Sequence, residues 1–452
     1  MGAAHDRRGR RRAAPWIGML AGAIAALAAP SAAPPAQAQA QAPAAATPAA
    51  EGISGGVVRI GVMSDMTGLY AAIAGEGSVT ATRLAVEDCL RAECAGMRVE
   101  VLSADHQNRP DVAVAIARRW TDQEGVDVFG DVVTASVQLA IQALARERNR
   151  VVLFPGGTSR LTNEDCAPET SVQWMWDTYS QVAAVVRPLA RPGSRWFFVT
   201  ADYAFGHALQ ADATALVQRQ GGTVVGAARH PFPGTTDFSS FLLQAQASRA
   251  DFIALANAGP DALNSLKQAQ EFGLLGGRSR QQVVALVLTA AEIRGLGAGA
   301  VGATLAEGFY WDLDEGTRAW SARFEAAHGR GKPSMIHAGA YSATRHYLRA
   351  VAAARSDEAR RVVRRMHRIP IQDEVVRNAR LREDGRMLHD YYLFRVKPLE
   401  ARREPDDVYE LVATIPPDQA FRPLEESACP AERRLRTGGD DGPPPAAGPP
   451  AR

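Results

Sequence analysis

Between residues 57 and 312 the chain alternates short β-branched runs with stretches of helical periodicity, and it does so twice. VVRIGVM (57–63), RVEVLSAD (98–105), VDVFGD (126–131), VVLFPG (151–156) and SVQWMW (171–176) read as strands. The spans 76–92, 111–124 and 136–148 place apolar side chains every three or four residues, the stripe of a helix lying on a sheet. After a helix from about Tyr179 the pattern restarts. RWFFVTAD (195–202), TVVGAARH (223–230), DFIALANA (251–258), QVVALVL (282–288) and AEGFYWD (306–312) are its strands, with helices near 206–220, 238–249 and 261–272. Strands separated by helices pair in parallel through right-handed crossovers. Strand runs that are apolar throughout belong to sheets covered on both faces. The predicted fold class is therefore α/β, with two doubly wound parallel-sheet lobes.

Residues 317–366 carry helical patterns without strands, the strongest being MIHAGAYSATRHYLRAVAAA (335–354) with Ile336, Ala340, Ala343, Tyr347, Leu348 and Val351 on one face. These helices must cover a sheet already built. A final hairpin runs around REDGR (382–386) into HDYYLFRVK (389–397) and VYELVATI (408–415). A chain that builds one lobe, then the other, and then returns to both crosses a hinge several times. The expected crossings lie near Trp176–Tyr179, Tyr310–Asp314 and Leu381–Arg386. The first lobe is then 55–178 plus 312–384, and the second is 179–311 plus 385–430.

The two ends read differently. Arg7, Arg8, Arg10, Arg11 and Arg12 precede an apolar run from Trp16 to about Ala29, then Pro30 and an Ala/Pro/Gln tract. That is a signal peptide over 1–40, with cleavage expected near Ala38 or Ala40 and export to the periplasm. The run is shorter than the roughly 20 residues of a membrane span, so a retained anchor is the alternative and direct membrane insertion is not expected. No cysteine lies near the cleavage site to carry a lipid, and the export route, Sec or twin-arginine, stays open. Residues 41–54 form an Ala/Pro-rich linker, and 431–452, ending in RTGGDDGPPPAAGPPAR, a disordered tail. Lys and Arg number 51 against 49 Asp and Glu, and loss of the leader leaves the chain slightly acidic. No cationic field for nucleic acid follows.

Four cysteines in an exported chain imply two disulfides. Cys89 and Cys94 are close enough in sequence to shut a small loop, which leaves Cys166 for Cys429. Four free buried thiols are the alternative.

In open α/β sheets, ligands sit beyond the carboxyl ends of the strands, where helix N-termini present free N–H groups. The loops expected there are MSDMTGLY (63–70), GDVVTAS (130–136) and FPGGTSRLT (154–162). Thr134, Ser136, Thr158 and Ser159 suit donation of neutral hydrogen bonds to a ligand carboxylate. The plainer reading makes them N-caps and turn residues. Enzyme signatures are missing: there is no H-E-x-x-H, no Walker sequence and no G-x-S-x-G. One G-x-G-x-x-G, from Gly297 to Gly302, precedes a strand instead of following one, so it is no dinucleotide fingerprint. Neither cofactor nor metal is expected, and His207 and His346 read as helix-surface residues. The run Arg360, Arg361, Arg364, Arg365 and Arg368 is a solvated helix face, with a docking patch as the alternative.

Taken in order, these segments resemble the type I periplasmic solute-binding proteins, the branched-chain amino-acid binding group of ABC transporters. The match extends from about 57 to 430: MSDMTG after the first strand, the SADHQNRP loop, VFGDVVTAS, VLFPGGTSRLT, FFVTADYAFG, TTDFSSFLLQAQASRADFIALANAG and LKQAQEFGL. The resemblance implies a multi-crossover hinge, and hydroxyl loops that hold a ligand carboxylate at Thr134 and Thr158 beside Ser136 and Ser159. It also implies an aromatic side chain offered by the second-lobe turn, at Tyr203 or Phe205.

The departures bear on specificity. The family's ammonium-binding tyrosine falls on Ala258, no carboxylate aligns after VALVL and Glu292 is only nearby, and a cysteine pair of some relatives falls on Asn108 and Val133. The candidate ligand-binding residues are Tyr70, Thr134, Ser136, Thr158, Ser159, Trp176, Tyr179, Tyr203, Phe205, Asn257 and Glu292. The function implied is a monomeric, non-enzymatic receptor that closes over a small carboxylate and delivers it to a membrane permease. That ligand is an aromatic or aliphatic monocarboxylate, or an amino acid. The alternative is a sensing receptor that passes its closed state to a signalling partner.

Overall fold

Val58, Ile60 and Val62 are fully buried in the first strand, β1 (Val58–Ser64), and everything in the first lobe is laid out around it. We describe a computed structural model over residues 52–274, 279–297 and 304–435. The expected signal peptide, nearly all of the linker, the last part of the tail and most of Gly297–Gly302 lie outside the described residues. After β1 come α1 (Gly75–Arg91), β2 (Val99–Asp105), α2 (Pro110–Arg119), β3 (Val128–Gly130), α3 (Ala135–Arg148), β4 (Val151–Phe154) and β5 (Ser171–Gln173). The five strands form one parallel sheet in the order β2-β1-β3-β4-β5. Strand order reverses between β1 and β3, which opens a crevice at their carboxyl ends.

The second lobe repeats the plan with α4 (Thr178–Val186), β6 (Arg195–Ala201), α5 (Ala204–Arg219), β7 (Thr223–His230), α6 (Ser239–Ala247), β8 (Phe252–Ala256), α7 (Pro260–Glu271), β9 (Gln282–Ala285) and α8 (Ala290–Leu296). Its parallel sheet has the order β7-β6-β8-β9, so a second crevice opens between β6 and β8. Helix α8 was not anticipated, although Thr289-Ala-Ala-Glu292 is a capping-box sequence.

The chain then diverges from the simple repeat. β10 (Thr304–Glu307) was expected as a further parallel strand over 306–312. Instead it pairs antiparallel with β13 (Tyr391–Val396), which pairs antiparallel with β14 (Tyr409–Ile415). Phe309–Trp311 leave the strand to cross back between lobes. Helices α9 (Glu315–His328) and α10 (Met335–Ala354) pack on α1 of the first lobe, followed by α11 (Ala359–Met366). His346 is a correction: it is 2% exposed, its Nε2 lies 2.9 Å from the Met366 carbonyl, and its ring packs on Trp174. On α11, Ala359, Val362, Val363 and Met366 face inward, while Arg360 and Arg361 are exposed.

The REDGR turn closes a small hairpin of its own, β11 (Arg380–Leu381) with β12 (Met387–Leu388), and not the long one expected. That hairpin stays on the first sheet, because Gln173 N donates to the Gly385 carbonyl at 2.9 Å and Arg386 bridges to the same strand. Residues 174–177, 308–314 and 389–390 therefore run between the lobes, and the stretch from β14 to Cys429 makes a fourth passage. The first and third are clamped together. Buried Arg386 donates from Nη1 to the Gln173 and Trp174 carbonyls, and His389 Nε2 lies against the Met175 carbonyl at 2.5 Å.

Disulfides join Cys89 to Cys94, at the end of α1, and Cys166 to Cys429. The second ties the C-terminal segment to the loop between β4 and β5. Among the described residues no helix is long and apolar enough to cross a membrane.

Candidate functional site

The two crevices face each other, and a cavity lies where they meet. From the first lobe come Tyr70 and Ile73 after β1, Val133–Ala135 and Gln138 after β3, Pro155–Gly157 after β4, Trp176 at the first crossing, and Met335 and Ile336 at the start of α10. From the second come Tyr203 and Phe205 after β6, Ala258 after β8, and Val287 and Thr289 after β9. Its free space is about 50 Å³, well below that of an apolar cavity able to hold benzene, roughly 150 Å³.

Tyr70 is positioned by a buried carboxylate. Asp65 Oδ1 accepts from Gly68 N and Oδ2 from Tyr70 N, each at 2.8 Å, which folds the loop after β1 back on itself. The same Oδ2 accepts from Asn108 Nδ2 at 2.5 Å. Asn108 Oδ1 then takes the hydroxyl proton of Thr134. So Thr134, which lines the cavity, has its one proton committed behind it and shows lone pairs forward. It also sits at φ +72, a costly conformation for threonine, held by this network and by the start of α3. The N–H groups of Ala135, Ser136 and Val137 form the first turn of α3 and have no acceptor within the helix. They, with the helix dipole, make this end of the cavity attractive to an anion.

Trp176 adds a further donor. Its indole Nε1 is buried and has no hydrogen-bond partner among the described residues. It lies so close to Gly156 that a Cβ there would stand 2.0 Å from it. At Gly157, with φ +142, a Cβ would collide with the Gln138 amide at 2.1 Å. The glycine pair is thus what lets Trp176 and Gln138 approach the backbone. Gln138 itself is spent, donating to the Val132 and Gly156 carbonyls and accepting from Thr158 N.

The second lobe contributes rings. Phe205 meets Trp176 edge-on, with centroids 6.0 Å apart at 88°, and Tyr203 stacks on Phe232 at 3.8 Å. The Tyr203 and Tyr70 hydroxyls lie 2.9 Å apart across the cleft. Burial raises the pKa of both phenols, so both keep their protons at any physiological pH.

Of the residues singled out from sequence, the cavity brings together Tyr70, Thr134, Trp176, Tyr203 and Phe205. The other six do not line it. Ser136 contributes at most its N–H, as the second residue of α3. Thr158 is buried at the start of a short turn, accepting from Arg160 N at 3.4 Å. Ser159 donates to Asp212 of α5 at 2.8 Å, as Thr178 does at 2.6 Å, and Arg422 completes that cluster. Tyr179 lies under the Arg422 guanidinium, 4.4 Å from ring centre, on the hinge side. Asn257 is buried beside His230 and Ser265. Glu292 accepts from Thr289 N at 2.7 Å and from Thr289 Oγ1 at 2.8 Å, and burial raises its pKa.

The remaining acids near the cleft are also engaged. Asp177 pairs with Arg386 at 2.8 Å and caps α4, and Asp202 pairs with His207 at the surface. Asp261 lies beside buried His230, and burial pushes its carboxyl up to about 6. No Asp, Glu, Lys, Arg or His is among the described residues lining the cavity. Sequence reasoning missed Ile73, Gln138, Val287, Thr289, Met335 and Ile336, while Pro155 lies in a loop it had named. Only Thr289 had a sequence signal, its capping box.

Residues 57–403 match the family model described as periplasmic binding protein. A periplasmic binding protein from Burkholderia mallei is 38% identical, with a TM-score of 0.78 over 83% of this chain and 99% of its own. A structure titled branched chain amino acid ABC transporter periplasmic ligand-binding protein, from Burkholderia xenovorans LB400, is 37% identical, with a TM-score of 0.74 over 83% and 100%. A solute-binding protein of an ABC transporter from R. palustris, solved with benzoate, is 18% identical with a TM-score of 0.68 over 80% and 97%, a likeness of fold. No curated protein matches the chain.

Proposed function

The chain belongs to the family of periplasmic binding proteins, and on that premise we propose that it is the periplasmic receptor of an ABC importer, closing over a small monocarboxylate with an apolar or aromatic body. The observation that carries the ligand class is the make-up of the cavity. One end offers donors, the first-turn N–H groups of α3 and the Trp176 indole, and the rest is ring and aliphatic surface. An α-amino acid brings its ammonium beside its carboxylate, into the end where donors gather and no acidic side chain lines the space. Burying an ammonium without an acidic partner costs several kcal/mol, enough to remove useful affinity.

Relatives support both the transport role and the range of ligands. One relative is a branched chain amino acid ABC transporter periplasmic ligand-binding protein, and a remote neighbour of the same fold was solved with benzoate. The aliphatic amino acid is therefore the competing ligand. Closure proceeds about residues 174–177, 308–314 and 389–390, with ligand bridging the lobes and shifting an open–closed population. A thermal-shift screen of aromatic acids against aliphatic amino acids tests the reading. Stabilisation by acids lacking an amine supports it, and stabilisation by amino acids alone overturns it.

A further inference from the structure

Beyond Tyr203, whose hydroxyl is bonded to that of Tyr70, the second-lobe side of the cavity has Thr289 as its polar side chain, among Phe205, Ala258 and Val287. A threonine hydroxyl has one proton and two lone pairs. Here the proton is spoken for: Oγ1 donates to Glu292 Oε2 at 2.8 Å, and the same oxygen accepts Thr289 N at 2.7 Å. Because Glu292 Oε2 takes two donors, it is the acceptor in both bonds. Glu292 is 8% exposed and fixed on the first turn of α8, so the arrangement does not swing freely. One of its two lone pairs is turned to the Glu292 backbone N–H in the capping box, so what Thr289 has left for the cavity is a single acceptor position.

We propose that Thr289, oriented by Glu292, determines specificity at this end of the cavity and selects carboxylic acids that carry a hydroxyl on the side remote from the carboxylate. The inference rests on the monocarboxylate reading above and narrows it to hydroxylated aromatic acids. An acid with an apolar remote end buries the remaining Thr289 lone pair without a donor. A buried acceptor left unpaired is penalised more heavily than a made hydrogen bond is rewarded, which is why a site built around a hydroxyl rejects the analogue lacking it. An α-amino group does not meet this demand, since it sits beside the carboxylate and not opposite it.

Calorimetry with benzoate, 4-hydroxybenzoate and 4-methoxybenzoate on the full mature protein tests this, with Thr289→Val and Thr289→Ser alongside. The wild type should prefer 4-hydroxybenzoate over benzoate by about tenfold or more, and 4-methoxybenzoate, larger but without a donor, should gain nothing. Thr289→Val keeps the shape and should erase the preference, while Thr289→Ser keeps the hydroxyl and should retain it. Equal binding of benzoate and 4-hydroxybenzoate by the wild type, or a preference that survives in Thr289→Val, overturns the role of Thr289 and leaves the monocarboxylate reading standing. Failure of all three acids to bind, with binding of leucine, overturns both.

Discussion

The hydroxyls of Tyr70 and Tyr203, one from each lobe, are 2.9 Å apart and form a direct hydrogen bond across the mouth of the cavity. Each ring is held from behind. The Tyr70 loop is folded by Asp65, and the Tyr203 ring is stacked on Phe232. The bond exists only when the lobes are together, so its free energy belongs to the closed state. Tyr203→Phe should weaken ligand binding by about 0.5–1.5 kcal/mol, up to about tenfold in Kd. Tyr70→Phe should do the same, and the double variant should cost no more than either single one. Additive losses in calorimetry would show that the two hydroxyls act separately.

On the proposed reading, Trp176 supplies a second contact to the bound ligand. Trp176→Phe keeps ring surface against Phe205 but removes the unpartnered Nε1–H. If that group meets the carboxylate, affinity should fall by about 1.5–3 kcal/mol, the range for a hydrogen bond to a charged group. Gly156→Ala should have a comparable effect by a different route, since the new Cβ would occupy the indole's place, 2.0 Å from Nε1. Unchanged Kd values in both variants would remove Trp176 from the site.

How far these features were legible in the sequence depends on what each position asks of its side chain. Buried parallel strands need β-branched, apolar runs, so β1, β4, β6 and β8 could be read to within a few residues. β10 was misassigned because a strand's sequence does not say which neighbour it pairs with, and its partner β13 lies more than eighty residues further on. Within the site, Tyr70, Tyr203 and Trp176 stood out as aromatics next to strand ends. Met335 and Ile336 did not, because an apolar residue at a helix start looks the same whether it faces a core or a ligand. Thr134 was anticipated as a proton donor. The network through Asn108 and Asp65 reverses that role, and no local pattern encodes a hydrogen bond spanning 26 residues.

The Cys166–Cys429 disulfide closes a loop of 263 residues and pins the C-terminal segment that carries Arg422. By the loop-entropy relation its loss should cost at most roughly 5 kcal/mol of stability. Cys166→Ser with Cys429→Ser should therefore unfold at clearly lower temperature while binding ligand normally when folded. A melting temperature equal to that of the wild type would contradict the structural role. Non-reducing peptide mapping should find both disulfides and no free thiol.

Stability should respond to acid through the buried histidines, and His346 isolates the effect. Burial pushes its pKa down from 6.5 to about 4. Between those values the unfolded chain takes up a proton that the folded one refuses, so stability falls as pH drops through that window. Compared with His346→Gln, the wild type should lose roughly 2–3 kcal/mol more between pH 7 and pH 4.5. Urea unfolding at the two pH values measures it, and parallel losses in both proteins would mean that His346 is protonated in the folded state.

The central claim is that the cavity takes a carboxylate without an ammonium. Calorimetric titration of the mature protein with 4-hydroxybenzoate, benzoate, phenylacetate, leucine and valine addresses it most directly. The account predicts binding of at least one amine-free acid at micromolar Kd, and no measurable heat with leucine or valine. Micromolar binding of leucine or valine, with none of the amine-free acids, would contradict it.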